Sequence, residues 1–183
     1  PASSTDEVIA ERDKRYHADP KAWVNALARD AGLEQAIVDI TYPITAWKSK
    51  KFITQAELDE YYGAIESYII RKELRFEYMY DPLIAKRLPF QAFLEDYYAV
   101  VDEAVKREKP VTFKSVIGYI TGLDVSHPSF NQAEIAYYRY LQDPNDFANE
   151  KILRDFMLYD SMKLCLKYNL PLQIHTGSGN TPL

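Results

Sequence analysis

The sequence predicts an α/β protein whose parallel sheet is covered by helices, and three observations support this fold class. Segments with helical periodicity alternate four times with short apolar segments along the 183 residues. The short segments are apolar on both faces, which is typical of strands buried in a parallel sheet. The last of them carries His175 at its end, directly before a Gly-Ser-Gly loop, and α/β barrels keep their reactive side chains at such strand ends.

Caps and apolar stripes mark the predicted helices. The Ser-Ser-Thr-Asp sequence at residues 3–6 and the Asp19-Pro20 pair begin the first two helices, and a capping box at residues 54–57 begins the third. Behind the later caps, apolar residues recur every three or four positions. The predicted helices cover residues 3–17, 19–32, 54–69, 89–108, 131–141 and 149–168.

The predicted strands lie at residues 36–40, 74–80, 111–119 and 170–176. Asp39 lies near the end of the first, and alternation favours the second. Lys114 interrupts the β-branched and aromatic third strand, where a lysine needs a specific role. Residues 1–35 are therefore a helical lead-in, and residues 36–183 are four strand–helix units of a single domain. Four such units make half of an eight-stranded barrel or most of an open doubly wound sheet.

The composition argues for a globular enzyme. The chain is 47% hydrophobic and 27% charged, with one cysteine and a formal net charge of −5. This charge and the lack of a basic run argue against a nucleic-acid partner. No apolar segment is long enough to span a membrane, so we do not expect a membrane partner. A single Cys165 cannot form a disulfide within the chain. We therefore expect a cytoplasmic enzyme that acts on a small molecule.

The last predicted strand is not followed by a helix that could cover it. We therefore expect the natural sequence to continue beyond residue 183 and to begin before residue 1. An intact mass of 21.2 kDa for the natural protein would contradict this expectation.

Two longer motifs, at residues 113–124 and 170–177, resemble the amidohydrolase superfamily, and most closely its amidohydrolase-related branch of metal-dependent TIM-barrel hydrolases. Shorter matches at residues 38–39, 74–77 and 153–156 extend the resemblance from about residue 30 to the end. The resemblance implies a distorted (β/α)8 barrel, of which the four predicted strands are the second to the fifth, with extra helices in the connections.

The resemblance also implies a site. Lys114 falls on the fourth-strand lysine of the superfamily and His175 on its fifth-strand histidine, so both are candidate metal ligands. The implied cofactor is a divalent metal, zinc, as one or two ions, with a possible carboxylated lysine at Lys114 that bridges two metals. The superfamily's His-x-His pair, its sixth-strand histidine and its catalytic aspartate have no counterpart in these residues.

The implied function is a metal-dependent hydrolase, in which metal-bound hydroxide attacks a C–N or ester bond of a small molecule. One alternative on the same fold is a zinc-dependent decarboxylase with an unmodified Lys114, and another is a catalytically incomplete fragment or binding module. The missing ligands imply a partner, either the remainder of the barrel or a second copy of the chain. Arg75, Tyr119 and Asp39 are the candidate substrate-binding residues.

Each candidate residue also has a structural interpretation. His175 could be a core histidine bonded to backbone, and Lys114 could be unmodified, paired with Asp39 or Glu77, or a substrate contact. Arg75 could form an ion pair with Glu77, and Tyr119 could be a core residue with a satisfied hydroxyl.

Two positions depart from the family pattern. Ile120 stands where relatives often have arginine, which argues against an anionic substrate, and Asn180 stands where they often have aspartate.

Overall fold

A computed structural model describes residues 4–39, 56, 60 and 62–177. The chain divides into two compact units, residues 1–38 with 43–71 and residues 39–42 with 72–183. None of the helices in the described ranges has the length and apolar character that crossing a bilayer requires. The capping box predicted at residues 54–57 lies outside the described residues, apart from Ala56.

The first unit begins with helices α1, Thr5–Ala18, and α2, Pro20–Asp30. Both start where the sequence predicts, because the side chain of Ser4 accepts a hydrogen bond from the Glu7 amide and Asp19 caps α2 in the same way. Asn25 is buried on α2, and its amide nitrogen donates to the Ala64 carbonyl at 2.8 Å. A polar side chain thus joins α2 to the segment that leads into the second strand.

The strands form one sheet with the order β1-β2-β3-β4. Their bounds are Gln35–Asp39 for β1, Ile69–Arg75 for β2, Thr112–Ser115 for β3 and Leu172–Ile174 for β4. Strands β2, β3 and β4 pair in parallel, with Arg75 opposite Lys114 and Lys114 opposite Gln173. This confirms the predicted α/β class with a parallel sheet, while closure into a barrel stays a prediction.

The two faces of this sheet have opposite character. Leu74, Phe113 and Leu172 are register partners, so their side chains share one face, which contacts the hydrophobic core. The register partners Arg75, Lys114 and Gln173 share the other face. Successive side chains of a strand point to opposite faces of the sheet. One face is therefore apolar and packs on the core, and the other carries the charged candidate residues.

The second unit contributes five helices within its described residues, α3 Phe76–Ile84, α4 Phe90–Glu108, α5 Ile117–Ile120, α6 Phe130–Gln142 and α7 Phe147–Tyr168. Their apolar stripes build an aromatic core, in which Phe76 stacks on Phe113 with ring centroids 4.7 Å apart. Helix α4 covers the predicted residues and ends at Glu108, and the cap residue Lys109 adopts the left-handed conformation.

The predicted strand at residues 74–80 is wrong beyond Arg75. Strand β2 lies earlier, at Ile69–Arg75, and Phe76 begins α3. The buried residues Phe76, Met79, Tyr80 and Leu83 recur at intervals of three and four, which is the helical period. The residues that seemed to alternate in the sequence follow this helical period instead.

The strands predicted at residues 111–119 and 170–176 are also too long. Strand β3 ends at Ser115, and the short helix α5 follows it directly. Gly122 then has a φ of 89°, a conformation that glycine adopts without strain. The last strand is confined to Leu172–Ile174, so His175 follows the strand.

Candidate functional site

His175 is held by its backbone at the end of β4. Its amide donates to the Ser115 carbonyl at 2.9 Å, which extends the β3–β4 ladder past the last strand residue. Its carbonyl lies against Gly118 of α5, where a Cβ atom would stand 3.0 Å from that oxygen. The turn from β3 into α5 therefore fixes where His175 leaves the sheet.

The imidazole of His175 has two close oxygen neighbours. Its Nε2 atom lies 2.6 Å from the Tyr119 hydroxyl and 2.7 Å from the Gly177 carbonyl. Because a carbonyl only accepts hydrogen bonds, the contact with Gly177 assigns the ring proton to Nε2. The Nδ1 atom then carries the lone pair. A metal-binding histidine commonly uses one nitrogen as ligand while the other donates to a carbonyl.

Lys114 lies on the polar face of β3 and is buried. With the Gln173 amide oriented to satisfy both of its neighbours, the lysine Nζ donates to the amide oxygen at 2.9 Å. The amide nitrogen then donates to Glu73 Oε2 at 3.1 Å. Burial raises the pKa of Glu73, and the charge of Lys114 opposes this shift. Three neighbouring strands thus contribute one residue each to a connected polar network.

Arg75 and Asp39 form an ion pair at the other side of this face. The guanidinium Nη2 donates to Asp39 Oδ2, and both side chains are largely buried. The guanidinium also lies over the Tyr78 ring, 5.0 Å from its centroid. A planar guanidinium is suited to such combined pairing and stacking. Two candidate substrate residues therefore contact each other.

Glu77 sits where α3 approaches the end of β3. Its Oε1 atom accepts hydrogen bonds from the Ser115 hydroxyl at 2.6 Å and from the Val116 amide at 3.0 Å. The second oxygen, Oε2, is buried without a hydrogen-bond partner. Burial raises the pKa of Glu77, and the bonds from Ser115 and Val116 act in the opposite direction. Through these two hydrogen bonds Glu77 stabilises the β3–α5 turn, whose Ser115 carbonyl binds the His175 amide.

The structure brings most of the candidates to one end of the sheet. Arg75 and Lys114 are register partners, and His175 follows two residues after Gln173, the partner of Lys114 on β4. Since parallel strands align their C-terminal ends, these side chains lie at the same end of the sheet. Tyr119 joins them through the His175 ring.

Two suggested pairings are wrong. Lys114 is connected to Gln173 and Glu73 instead of Asp39 or Glu77, because Asp39 binds Arg75. For the same reason Arg75 does not use Glu77, which bonds to the β3–α5 turn.

Glu73 and Gln173 were missed by the sequence interpretation. Both stand two positions before a candidate residue, Arg75 and His175 respectively, so period-two alternation places them on the same face. The predicted start of the second strand at residue 74 excluded Glu73. The alternation of Gln173 with His175 was a usable signal.

The metal-ligand set is partial. Within residues 4–39, 56, 60 and 62–177, no three His, Cys, Asp or Glu side chains lie close enough together to hold a metal ion. The imidazole of His175 is a ligand type that zinc accepts, whereas Lys114 donates to Gln173 as an ammonium group and would have to lose its proton before it could take part in a metal site.

Comparison with known proteins supports the fold. The structure matches a Lactobacillus casei protein described as a "putative metal-dependent hydrolase", with a TM-score of 0.68 and 18% sequence identity. The match covers 86% of this chain and 39% of that protein. At this identity the match shows a shared fold.

Sequence comparison gives a shorter match, and no protein-family profile matches the chain. The chain is 29% identical over 105 residues to the protein fluG of Emericella nidulans. The matched region covers 51% of this chain and 12% of fluG. This chain thus spans well under half the length of both proteins that it resembles. It shares the fold of one and a segment of sequence with the other.

Proposed function

We propose that this chain is part of a metal-dependent hydrolase of the amidohydrolase type, with His175 and Lys114 among its metal ligands. One observation carries the proposal. The two residues lie at the same end of adjacent parallel strands, in a fold shared with a protein described as a metal-dependent hydrolase. Reactive groups of parallel α/β folds collect at this end of the sheet.

The arrangement of His175 suits it to bind a metal through Nδ1. The Gly177 carbonyl keeps the proton on Nε2, and the bond between the His175 amide and Ser115 fixes the residue at the sheet edge. Zinc at this position would supply an activated water and polarise the scissile carbonyl. The Tyr119 hydroxyl, beside the imidazole, is available to orient a substrate oxygen.

We propose that the substrate is a small molecule with an ester or C–N bond. The part of it that contacts the protein beside this bond is uncharged. Arg75 is engaged by Asp39, so an anionic substrate group would have to compete with a largely buried carboxylate. Ile120 adds no positive charge at the neighbouring position. These two features favour neutral substrates, which Tyr119 and the Arg75–Asp39 pair would position.

A matched set of histidine variants tests the hydrolase proposal. We expect His175→Ala to abolish zinc-dependent hydrolysis of small esters and amides and to lower the bound zinc. His17→Ala is the control, because His17 lies on α1 and its ring bonds only its own helix backbone among the described contacts. Equal loss of zinc and activity in both variants would contradict the assignment of His175.

A decarboxylase with one zinc ion is the second candidate, and the environment of Lys114 favours it. A carbamate on Lys114 would place anionic oxygens beside the Gln173 oxygen and near Glu73, where like charges repel. An unmodified amine instead donates to Gln173. The hydrolase with two bridged metals requires this network to rearrange.

Metal counting and carbon-13-labelled bicarbonate separate these candidates. A hydrolase of the bridged type is expected to bind two metals and to show a labelled carbamate that disappears in Lys114→Arg. The decarboxylase is expected to bind one metal and to show no carbamate. Absence of bound metal in the natural, full-length protein would favour the incomplete fragment or binding module and contradict both enzymes.

The remaining ligands are proposed to come from further polypeptide, either more of the same protein or a second copy. In the described sheet β4 is an edge strand, and Ile174 on it is exposed. Exposed edge strands offer unpaired backbone groups to another strand. Ultracentrifugation tests for a second copy, and the intact mass of the natural protein tests for additional chain. The proposed cytoplasmic location would be tested by cell fractionation.

A further inference from the structure

A cavity of about 620 Å³ lies among helices α4, α6 and α7, formed by residues outside the candidate metal site. Its volume is in the range of pockets that hold small organic ligands. The lining residues that matter to its chemistry are Tyr98, His127, Phe130, Phe156, Asp160 and Lys163. None of them belongs to the site of His175 and Lys114.

Asp160 gives this cavity a buried negative charge. Only 3% of the residue is exposed, and it is one of the residues that line the cavity. The Tyr98 hydroxyl donates to Oδ2, and the Lys163 ammonium donates to Oδ1. Burial and the hydrogen bond to Asp160 raise the pKa of Tyr98, which keeps this phenol in the donor role. These two donors compensate for the burial of the carboxylate, and the one at Oδ1 is a cation.

Lys163 supplies that cation from the surface. Its side chain is 73% exposed and reaches Asp160 from one turn away on α7. An exposed lysine loses little when it leaves such a pair, because water solvates its ammonium well. The Lys163 ammonium therefore occupies a position that another cation can take over from the cavity side.

The walls suit a cation that carries an apolar body. Phe130 and Phe156 contribute aromatic rings, and the His127 ring packs on Tyr159 with centroids 4.3 Å apart. Aromatic faces attract cations and also bury apolar groups. An anionic ligand would instead be placed near the Asp160 carboxylate, which disfavours it. Charge and wall chemistry select the same class of ligand.

We propose that this cavity binds a small organic amine, whose ammonium group replaces that of Lys163 on Asp160 while its apolar or aromatic body lies against Phe130 and Phe156. The inference is independent of the proposed metal site, since it rests on different residues. It assigns the cavity a role as a binding site for amines.

Calorimetric titration with 2-phenylethylamine tests the proposal on the whole chain. We expect Lys163→Ala to bind the amine several-fold more tightly than the unchanged protein, because the competing ammonium is gone. Asp160→Asn is expected to weaken binding by about tenfold or more, the scale of a lost hydrogen bond to a charged group. Lys167→Ala is the control, since Lys167 lies on the same helix but pairs with Asp102.

The matched ligand 3-phenylpropanoate, which has a carboxylate in place of the ammonium, is expected not to bind. Should Asp160→Asn fail to fold, the comparison of Lys163→Ala with Lys167→Ala still decides, because both changes are at exposed side chains. No amine binding to the unchanged protein and to Lys163→Ala would overturn the proposal. Equal binding of amine and carboxylate, or no gain in Lys163→Ala over Lys167→Ala, would overturn it as well.

Discussion

Lys114 and Gln173 are partners across the parallel strands β3 and β4, and with the Gln173 amide oriented to satisfy its neighbours, the Lys114 ammonium lies 2.9 Å from the amide oxygen. The same amide reaches Glu73, so one neutral side chain connects a buried cation with a buried acid. His175 leaves the sheet two residues after Gln173. The polar network and the imidazole are therefore fixed by the same short strand.

The tautomer of His175 is the first testable feature. Since the Gly177 carbonyl accepts a hydrogen bond from Nε2, we expect nitrogen-15 spectra to show a protonated Nε2 and an unprotonated Nδ1 at alkaline pH. Tyr119→Phe should keep this tautomer, because the carbonyl contact remains. A protonated Nδ1 would show that the assigned network is incorrect.

Gly118 is expected to be required for the position of His175. A Cβ at this residue would lie 3.0 Å from the His175 carbonyl and 3.2 Å from a Leu123 methyl carbon. Gly118→Ala should therefore lower the free energy of unfolding by about 1–2 kcal/mol and shift the His175 ring resonances. Urea unfolding and NMR measure the two effects.

Gly63→Ala is the matched control, because, among the described residues beyond its own chain neighbours and helix backbone, no atom lies within 4 Å of the added Cβ. If Gly118→Ala and Gly63→Ala have equal effects on stability and leave His175 unchanged, the close approach of α5 is not limiting.

Arg154 should be a major contributor to stability. It is buried on α7, where it donates to Glu150 at 2.8 Å and to Asp81 at 3.0 Å. Arg154→Met is expected to lower the free energy of unfolding by about 2 kcal/mol, because Glu150 loses its cation in a largely buried position while water solvates part of the more exposed Asp81. Urea denaturation measures this loss.

The control for this variant is Arg107→Met, since the Arg107 side chain is 64% exposed. Its expected cost is below about 1 kcal/mol. A loss of similar size in both variants would mean that the Arg154 cluster adds nothing beyond a surface pair.

Glu77 should make stability depend on pH. Burial raises the pKa of Glu77 in the folded protein, so the folded state binds its proton more tightly than the unfolded state does. Stability from this group is present at low pH and is lost as the pH rises from the ordinary glutamate value through the folded pKa. Glu77→Gln keeps an oxygen for Ser115 and Val116 but cannot ionise.

We therefore expect the free energy of unfolding of Glu77→Gln, relative to the unchanged protein, to increase across that pH window, by about 1.4 kcal/mol for each pH unit in which only the folded form holds the proton. Glu103→Gln is the control, because the Glu103 side chain is 77% exposed. A pH-independent difference for Glu77→Gln would refute the effect of burial.

The sequence was sufficient for the elements with strong local signals. Helix α4 follows its predicted range because Pro89 and the apolar stripe act locally, and the class of fold follows from the order of helices and strands. The segment at residues 76–80 failed because five residues do not separate a period of two from a period of 3.6. The β3–α5 turn was missed because its stabilising contact comes from Glu77, a distant residue.

The candidate site was predicted in part for the same reason. His175 was placed at a strand end from sequence alone, whereas Lys114 was placed inside a strand predicted at residues 111–119 and lies near the strand end only because β3 stops at Ser115. Glu73 and Gln173 become visible only once the strand register is known. The Arg75–Asp39 pair joins residues 36 positions apart, which periodicity cannot detect.

The most direct test of the central claim is a zinc titration of the natural protein followed by nitrogen-15 NMR of its histidine side chains. Binding of zinc to His175 predicts a large shift of its Nδ1 resonance at stoichiometric zinc, while Nε2 stays protonated and His17 and His127 are unaffected. An unchanged His175 resonance at saturating zinc, or a response in the other two histidines alone, would contradict the assignment of this strand end as a metal site.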